Sequence, residues 1–434
     1  MKTTEWIEEI AASREQAATH PHPQAQPLAA FAGIHPAILQ LASVYSSPLL
    51  AGPPLCEELV SLVRHMFTDE QAELTRHITM PLGASAIEIA GMAERPVAEV
   101  EPILEYLANI RGVIFSLGTA SWKRYFLLPL VPGVFEMVLM HTSEADLTDW
   151  HREFAARFRK LFETGYFGDY GRRPVELGYY LPVREAIPAQ SIALPSDHLD
   201  LVLDRYKVFG VGLCQCRLSK RLTGGDACSL PMETCITFGG IAERLIQNGR
   251  LRKVTRRDVF TIKAEAEDAG LVTLMLAANL KPDVAGISSG MACSCCSDCC
   301  YALKVIRDFN APGIVAAPHF RPNIKALACT ACGRCVSVCP VSALTIDPVS
   351  RKLVINPQRC IGCGLCSQPV PAMPSRCARY PIIIIRLKLP WGWRRMRCLT
   401  LRAMSGASGA AAPAEMHRPL SVNLQPLPRW RAAE

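Results

Sequence analysis

Cys329, Cys332, Cys335 and Cys339 stand in the order C-x2-C-x2-C-x3-C-P within CTACGRCVSVCP. Two residues between cysteines let a tight turn aim successive thiolates at adjacent irons of one cube, and the closing proline redirects the chain. This is the spacing of [4Fe–4S] ligation, whereas a zinc ribbon wants two C-x2-C pairs. Further on, CIGCGLC begins the same run with Cys360, Cys363 and Cys366 and then breaks off, with Val370 standing where the next cysteine would fall. A third concentration comprises Cys214 and Cys216 in CQC, then Cys228 and Cys235, then Cys293, Cys295, Cys296, Cys299 and Cys300 in CSCCSDCC. Buried free cysteines scatter through cores as small hydrophobes, and these instead crowd Gly- and Ser-flanked loops, which points to metal. Neighbours such as Cys295 and Cys296 point apart, so not all nine face one metal. Four thiolates hold one cluster and eight hold two, so the set fits either; structural zinc is the alternative.

The elements that must carry the paired runs are legible. After Cys339 come a short helix, a strand at 344–346, a turn at Asp347–Pro348 and a strand at 353–355, and then the run restarts: one unit of an internal duplication. On these motifs, residues 325–366 resemble the bacterial-type two-cluster ferredoxin domain. The resemblance implies electron transfer between low-potential carriers and a crossed ligation. One cluster would take Cys360, Cys363 and Cys366 with Cys339; the other would take Cys329, Cys332 and Cys335 and lack a fourth thiolate.

Two accounts of the missing ligand stand. Either Cys377 swings back or a three-iron cluster forms, or the reading frame has shifted. Deleting one G from TGC GTC ACA GCC TGT CCC, which encodes Cys-Val-Thr-Ala-Cys-Pro, gives Cys-Ser-Gln-Pro-Val-Pro, the residues from Cys366 to Pro371. Composition agrees: residues 367–434 hold 11 Lys and Arg against 2 Asp and Glu, and the preceding chain holds 36 against 37. The formal charge of +8 therefore belongs to the tail and does not argue for a nucleic-acid partner.

Half of the 434 residues are apolar, enough for several cored domains. The first residues are charged and helix-like, without the apolar core of an export signal, and no apolar run reaches membrane-spanning length. With 19 cysteines and no such signal, ligation is expected rather than disulfides, in the cytoplasm of an anaerobe. Helix patterns at 68–78, 85–93 and 97–110, followed by a hairpin from 112–118 and 125–130, give the element order of a winged helix. Its third helix carries Glu99, Glu101 and Glu105 and no Lys or Arg, so a protein-interaction module is expected over a DNA reader. Gly249 closes an amphipathic helix, and Thr255 caps another over 256–269 that leads into a strand at 271–276. Arg217, Lys220, Arg221, Arg250, Arg252, Lys253, Arg256 and Arg257 either offset cluster charge or form a solvated face, the second fitting most of them. No Walker A, Rossmann or Ser/His/Asp pattern occurs, and His20 and His22 read as loop residues.

The expected fold is therefore α+β and multidomain. It has an N-terminal helix and linker (1–54), a winged-helix-like module (55–140), a connecting region with a few strands and no chemistry (141–205), a mixed α/β cysteine-rich region (206–324), a ferredoxin-like βαβ cluster domain (325–377) and a disordered basic tail (378–434). Over 55–366 this order is similar to a group of anaerobe iron–sulfur proteins known only as ferredoxin-domain proteins. That resemblance implies an electron-transfer protein or redox-enzyme subunit, with [4Fe–4S] clusters as cofactors and low-potential redox proteins or a redox enzyme complex as partners. A redox-sensing regulator is the alternative. No catalytic residue is legible.

Overall fold

Capping boxes start several of the helices. Thr68, Ser85 and Thr255 each accept from the backbone N–H three residues on, and the side chain there (Gln71, Glu88, Asp258) bonds back to the cap. A computed structural model describes residues 21–119, 122–172, 176–183, 198–225, 228–276, 289–318, 320–324, 329–367 and 382–386. His20 and Cys377 lie outside them.

In the first part, helices α1 (Pro36–Tyr45), α2 (Glu57–Met66), α3 (Asp69–Thr75), α4 (Ala86–Met92) and α5 (Val97–Glu105) precede an antiparallel hairpin, β1 (Ile114–Thr119) and β2 (Trp122–Leu127). Ala84, just before α4, bridges Tyr125 of β2. The helices expected at 68–78, 85–93 and 97–110 are thus present as shorter α3, α4 and α5, and α5 widens into a π turn that ends at Gly112 with φ of 72°. Helix α6 (Phe135–Leu139) follows the hairpin within 55–140, and the stretch expected to connect, 141–205, holds the long helix α7 (Asp149–Glu163). In α7 the buried residues His151, Phe154, Ala155, Phe158, Leu161 and Phe162 recur at helical spacing and pack on α2 and on an aromatic cluster with Phe135, Phe167 and Tyr301.

The centre is one antiparallel sheet, not a parallel one. It contains β3 (Gly178–Tyr180), β4 (Phe209–Leu213), β5 (Glu233–Gly239), β6 (Arg252–Val254), β7 (Val272–Leu276) and β8 (Ser289–Cys295) in the order β3-β7-β8-β5-β4-β6. Side chains alternate across a strand, which sorts the two faces. Ile236, Phe238, Met275 and Ala292 pack against Val259 of helix α11 (Arg256–Asp268), after the short α8 (Leu199–Leu203). On the other face lie Leu274, Leu276, Cys235, Cys293 and Cys295, against the first part of the chain. Helix α9 (Gln215–Leu222) follows β4, α10 (Gly240–Gln247) follows β5, and α12 (Tyr301–Asp308) follows β8.

Toward the C-terminus come β9 (Phe320–Ile324), the one-turn helix α13 (Arg334–Ser337), the hairpin β10 (Leu344–Ile346) and β11 (Leu353–Ile355), and β12 (Ile382–Arg386). The strand expectations at 344–346 and 353–355 match residue for residue. β12 falls in the tail expected to lack order; its run of β-branched isoleucines pairs antiparallel with β9, Ile382 opposite Ile324. The rest of the tail lies outside the described residues. Among the described residues no helix is long and apolar enough to cross a membrane.

Candidate metal centres

Eight of the nine central cysteines line one cavity of about 60 Å³ together with Glu136, Arg217, Tyr301 and apolar side chains of β7. Each arrives for a local reason. Cys293 and Cys295 alternate with Ser294 along β8, so both project to the same face. Extending the register of β5 and β8 (Ile236 opposite Ala292) by one residue puts Cys235 beside Cys293. Cys214 is the N-cap of α9, Cys216 lies in its first turn, and Cys300 is the N-cap of α12. Two eight-residue helices therefore begin at the cavity, with their unpaired N–H groups and positive dipole ends turned toward sulfur. The ninth cysteine, Cys228, approaches from the loop between α9 and β5 and sits with Cys296 and Cys299, the three sulfurs within 4.8 Å of one another.

The thiols form sets. Cys300 is held well below the usual thiol range, first by the Cys216 thiol, then by that of Cys295, with help from the N–H groups of Leu303 and Ala302. Cys235 is lowered by Cys293, and Cys296 is lowered to about 5 chiefly by Cys299, with Arg217 assisting. Burial raises Cys214 to about 11 despite the Arg217 charge.

Two cations lie buried near these thiols, Arg217 in the cavity wall and Lys263 behind it, on the far face of the sheet. Arg217 is fully buried and donates to Ser294 O and Thr234 Oγ1, while its Nε has no partner among the described residues. Lys263 of α11 is 2% exposed and donates to Cys293 O and Ser294 Oγ, both at 2.9 Å. Burial pulls its ammonium down to about 8, and the cysteines 293, 295 and 235 pull the other way. Among the described residues no carboxylate lies within ion-pair distance of either cation. A buried charge without a counter-charge costs several kcal/mol. An anionic thiolate-bound cluster would supply the missing charge, so the residues present fit one. Two more buried acids face the same cavity region. Desolvation raises Glu136 to about 7, its Oε2 accepting from Gly133 N at 2.6 Å, and the buried Tyr180 hydroxyl has the thiols of Cys300, Cys295 and Cys293 as electrostatic neighbours.

Of the basic residues singled out by sequence, only Arg217 serves this cavity. Arg250 is buried elsewhere, its guanidinium donating to the carbonyls of Asn109, Ile110 and Met137 at the end of the π turn and in α6. Lys220, Arg221, Arg252 and Arg256 pair with Asp298, Glu144, Glu233 and Asp204 at the surface. Sequence reasoning missed Lys263, Glu136 and Tyr180. The signal for Lys263 was available: it stands between Val259 and Ala266 on the buried stripe of α11.

In the C-terminal part, Cys339, Cys360, Cys363 and Cys366 line a second, smaller cavity of about 20 Å³ with Pro340, Leu344 and Leu365. Ala343 N donates to Cys339 Sγ at 3.2 Å, and burial raises Cys360 to about 12 and holds Cys363 and Cys366 above the thiol range. Cys329, Cys332 and Cys335 do not line that cavity, although Cys335 is an electrostatic neighbour of Cys366, and Cys332 is exposed. Cys335, raised by burial to about 11, has Cys329 and Cys332 as its charged neighbours. The position expected to be short of a ligand, Val370, lies outside the described residues.

Residues 328–369 match a family model described as a 4Fe-4S dicluster domain. No curated protein and no solved structure matches the chain. The chain is mixed α/β with a ferredoxin-type domain near its C-terminus, and iron–sulfur electron transfer is the chemistry that domain brings.

Proposed function

We propose that the protein is an iron–sulfur electron-transfer protein or redox-enzyme subunit with two stations. One is the ferredoxin-type site of Cys339, Cys360, Cys363 and Cys366; the other is the central cavity, where Cys214, Cys216, Cys235, Cys293, Cys295 and Cys300 supply among them the four thiolates of a second cluster. Bound at these sites, [4Fe–4S] groups supply one-electron exchange at low potential. The chain's own groups tune it: N–H groups at the starts of α9 and α12 donate to sulfur, and Arg217 and Lys263 offset thiolate charge.

One observation carries the relay. Tyr180, at the end of β3 beside the thiols of Cys300 and Cys295, is three residues from Val183, whose N–H donates to Cys363 O at 2.8 Å. Roughly 10 Å of extended chain thus joins a neighbour of the central thiols to a residue of the other site. Low-potential redox proteins or a redox enzyme complex are the partners this reading calls for, in the cytoplasm.

The first part of the chain fits a winged-helix-like interaction module better than a DNA reader. Lys123 is tied to Glu105 at 3.0 Å and Arg124 to Glu88 at 3.1 Å, so the hairpin's cations already have carboxylates, and α5 adds only acid. Leu82, Ile87 and Trp122, 73%, 72% and 55% exposed, give this module apolar contact surface.

The test is iron and acid-labile sulfide per chain on protein purified without oxygen, with EPR of the reduced state. About eight irons or more, with interacting cubane signals, is expected. About four irons, all lost in Cys363→Ser, would leave the central cavity without a cluster and the relay without its second station.

A further inference from the structure

The nine central cysteines divide six and three. Cys228, Cys296 and Cys299 have their sulfurs within 4.8 Å of one another, and no other group of three Cys, His, Asp or Glu among the described residues is as tight. In a cubane each thiolate binds its own iron, which spreads the sulfurs by the edge of the cube. Around one tetrahedral ion with metal–sulfur bonds of about 2.3 Å, they stand roughly 3.8 Å apart. We propose that Cys228, Cys296 and Cys299 form a single-ion thiolate site for zinc at one edge of the cavity, where Cys296 and Cys299 line it, and that these three are not among the cluster's ligands.

Local chemistry agrees. Cys296 and Cys299 are spaced C-x2-C in the turn between β8 and α12, and Cys299 N donates to Cys296 Sγ at 3.4 Å, the N–H to sulfur contact a thiolate needs. Asp298 stays outside the three-sulfur group: its Oδ2 accepts from Cys299 Sγ at 3.4 Å while Lys220 Nζ holds both carboxylate oxygens at 2.7 and 2.8 Å, so a fourth position on the ion is left to water. Three thiolates on a divalent ion leave a net negative charge, and the buried guanidinium of Arg217 is at hand to offset it. Cys296 and Cys299 are buried while Cys228 is only half-buried, so the ion has a route in from the loop side. Three soft sulfurs select zinc over harder divalent ions. The ion would tie the α9–β5 loop to the start of α12, the two segments that bring Cys216 and Cys300 to the cavity.

The test uses the full chain purified without oxygen, with zinc, iron and sulfide counted separately. One zinc per chain is expected; Cys228→Ser should lose it with iron and sulfide unchanged, and Cys295→Ser should lose iron and keep zinc. Should the Cys228 variant fold poorly, holoprotein stripped of zinc by a chelator, with its iron retained, should take up one cobalt(II) and show the visible bands of a tetrahedral thiolate site. Absence of zinc and of cobalt uptake in the wild type overturns the site. So does a fall in iron and sulfide in Cys228→Ser matching that in Cys295→Ser, which would make Cys228 a cluster ligand. The zinc count is independent of whether the central cavity holds iron, so this proposal and the relay fail separately.

Discussion

Lys263→Met removes one buried charge and keeps the length of the side chain, and its two consequences have opposite signs. In the metal-free chain the ammonium has no carboxylate at ion-pair distance, Glu267 acting only from further off, and burial draws it from its ordinary range down to about 8. With the folded value below the unfolded one, protonation works against the fold. That cost is absent above the unfolded value, near 10.5, grows as the pH falls toward 8 and is fully present at neutral pH. A drop of this size is worth about 3 kcal/mol, so metal-free Lys263→Met should be more stable than wild type at pH 7 by up to that amount, less the lost bonds to Cys293 O and Ser294 Oγ. In the iron-loaded protein the charge acts on the cluster. At roughly 8 Å and an effective dielectric of about 20, a unit charge contributes about 2 kcal/mol, close to 90 mV for one electron. Removing a cation disfavours the reduced, more negative state, so the potential of the central cluster should fall by about that much while the ferredoxin-type cluster hardly moves. Urea unfolding of the metal-free chain and a redox titration followed by EPR read the two effects. A destabilised metal-free variant together with an unmoved potential would refute the idea that Lys263 awaits an anion in that cavity.

Three further outcomes are expected. Cys360→Ser should abolish the complete ferredoxin-type cluster, with a loss of about four irons, whereas Cys332→Ser, at an exposed position outside that cavity, should leave that cluster's EPR signal intact. Arg250→Met strands the carbonyls of Asn109, Ile110 and Met137 and should destabilise the chain by roughly 3 kcal/mol or more, measured by urea unfolding. His151 is buried beside His141, Arg111, Arg250 and His65, and desolvation lowers it to about 4. Its contribution is therefore present above pH 6.5 and lost as the pH falls toward 4, up to about 3 kcal/mol. His151→Gln, which can still accept from the Thr148 cap, should show a shallower acid loss over that window.

What could be read from the residues and what could not follow from the range of the forces involved. Thr68, Ser85 and Thr255 announce helix starts because a cap is a matter of three residues, and the ferredoxin runs are legible because one turn sets the spacing of their thiolates. The central site is built otherwise. CQC and CSCCSDCC advertise metal, yet which sulfurs meet depends on strand register: Cys235 reaches Cys293 only because β5 pairs with β8, a contact between residues 58 apart in the chain. The parity of β8 then sends Cys293 and Cys295 one way and Ser294 the other, toward Lys263. The same long-range pairing hid the counter-charges. Eight cations on 217–257 looked equivalent in sequence, and the fold buries Arg217 against the thiols, commits Arg250 to three carbonyls and leaves four others in surface ion pairs. Lys263 stands on the buried stripe of α11, and a lysine on the apolar stripe of an amphipathic helix is costly unless something negative waits for it. Here that cost is itself a sign of what the cavity is for: a site that ligated nothing anionic would be better served by Met at 263, and the cysteines alone could not have said so.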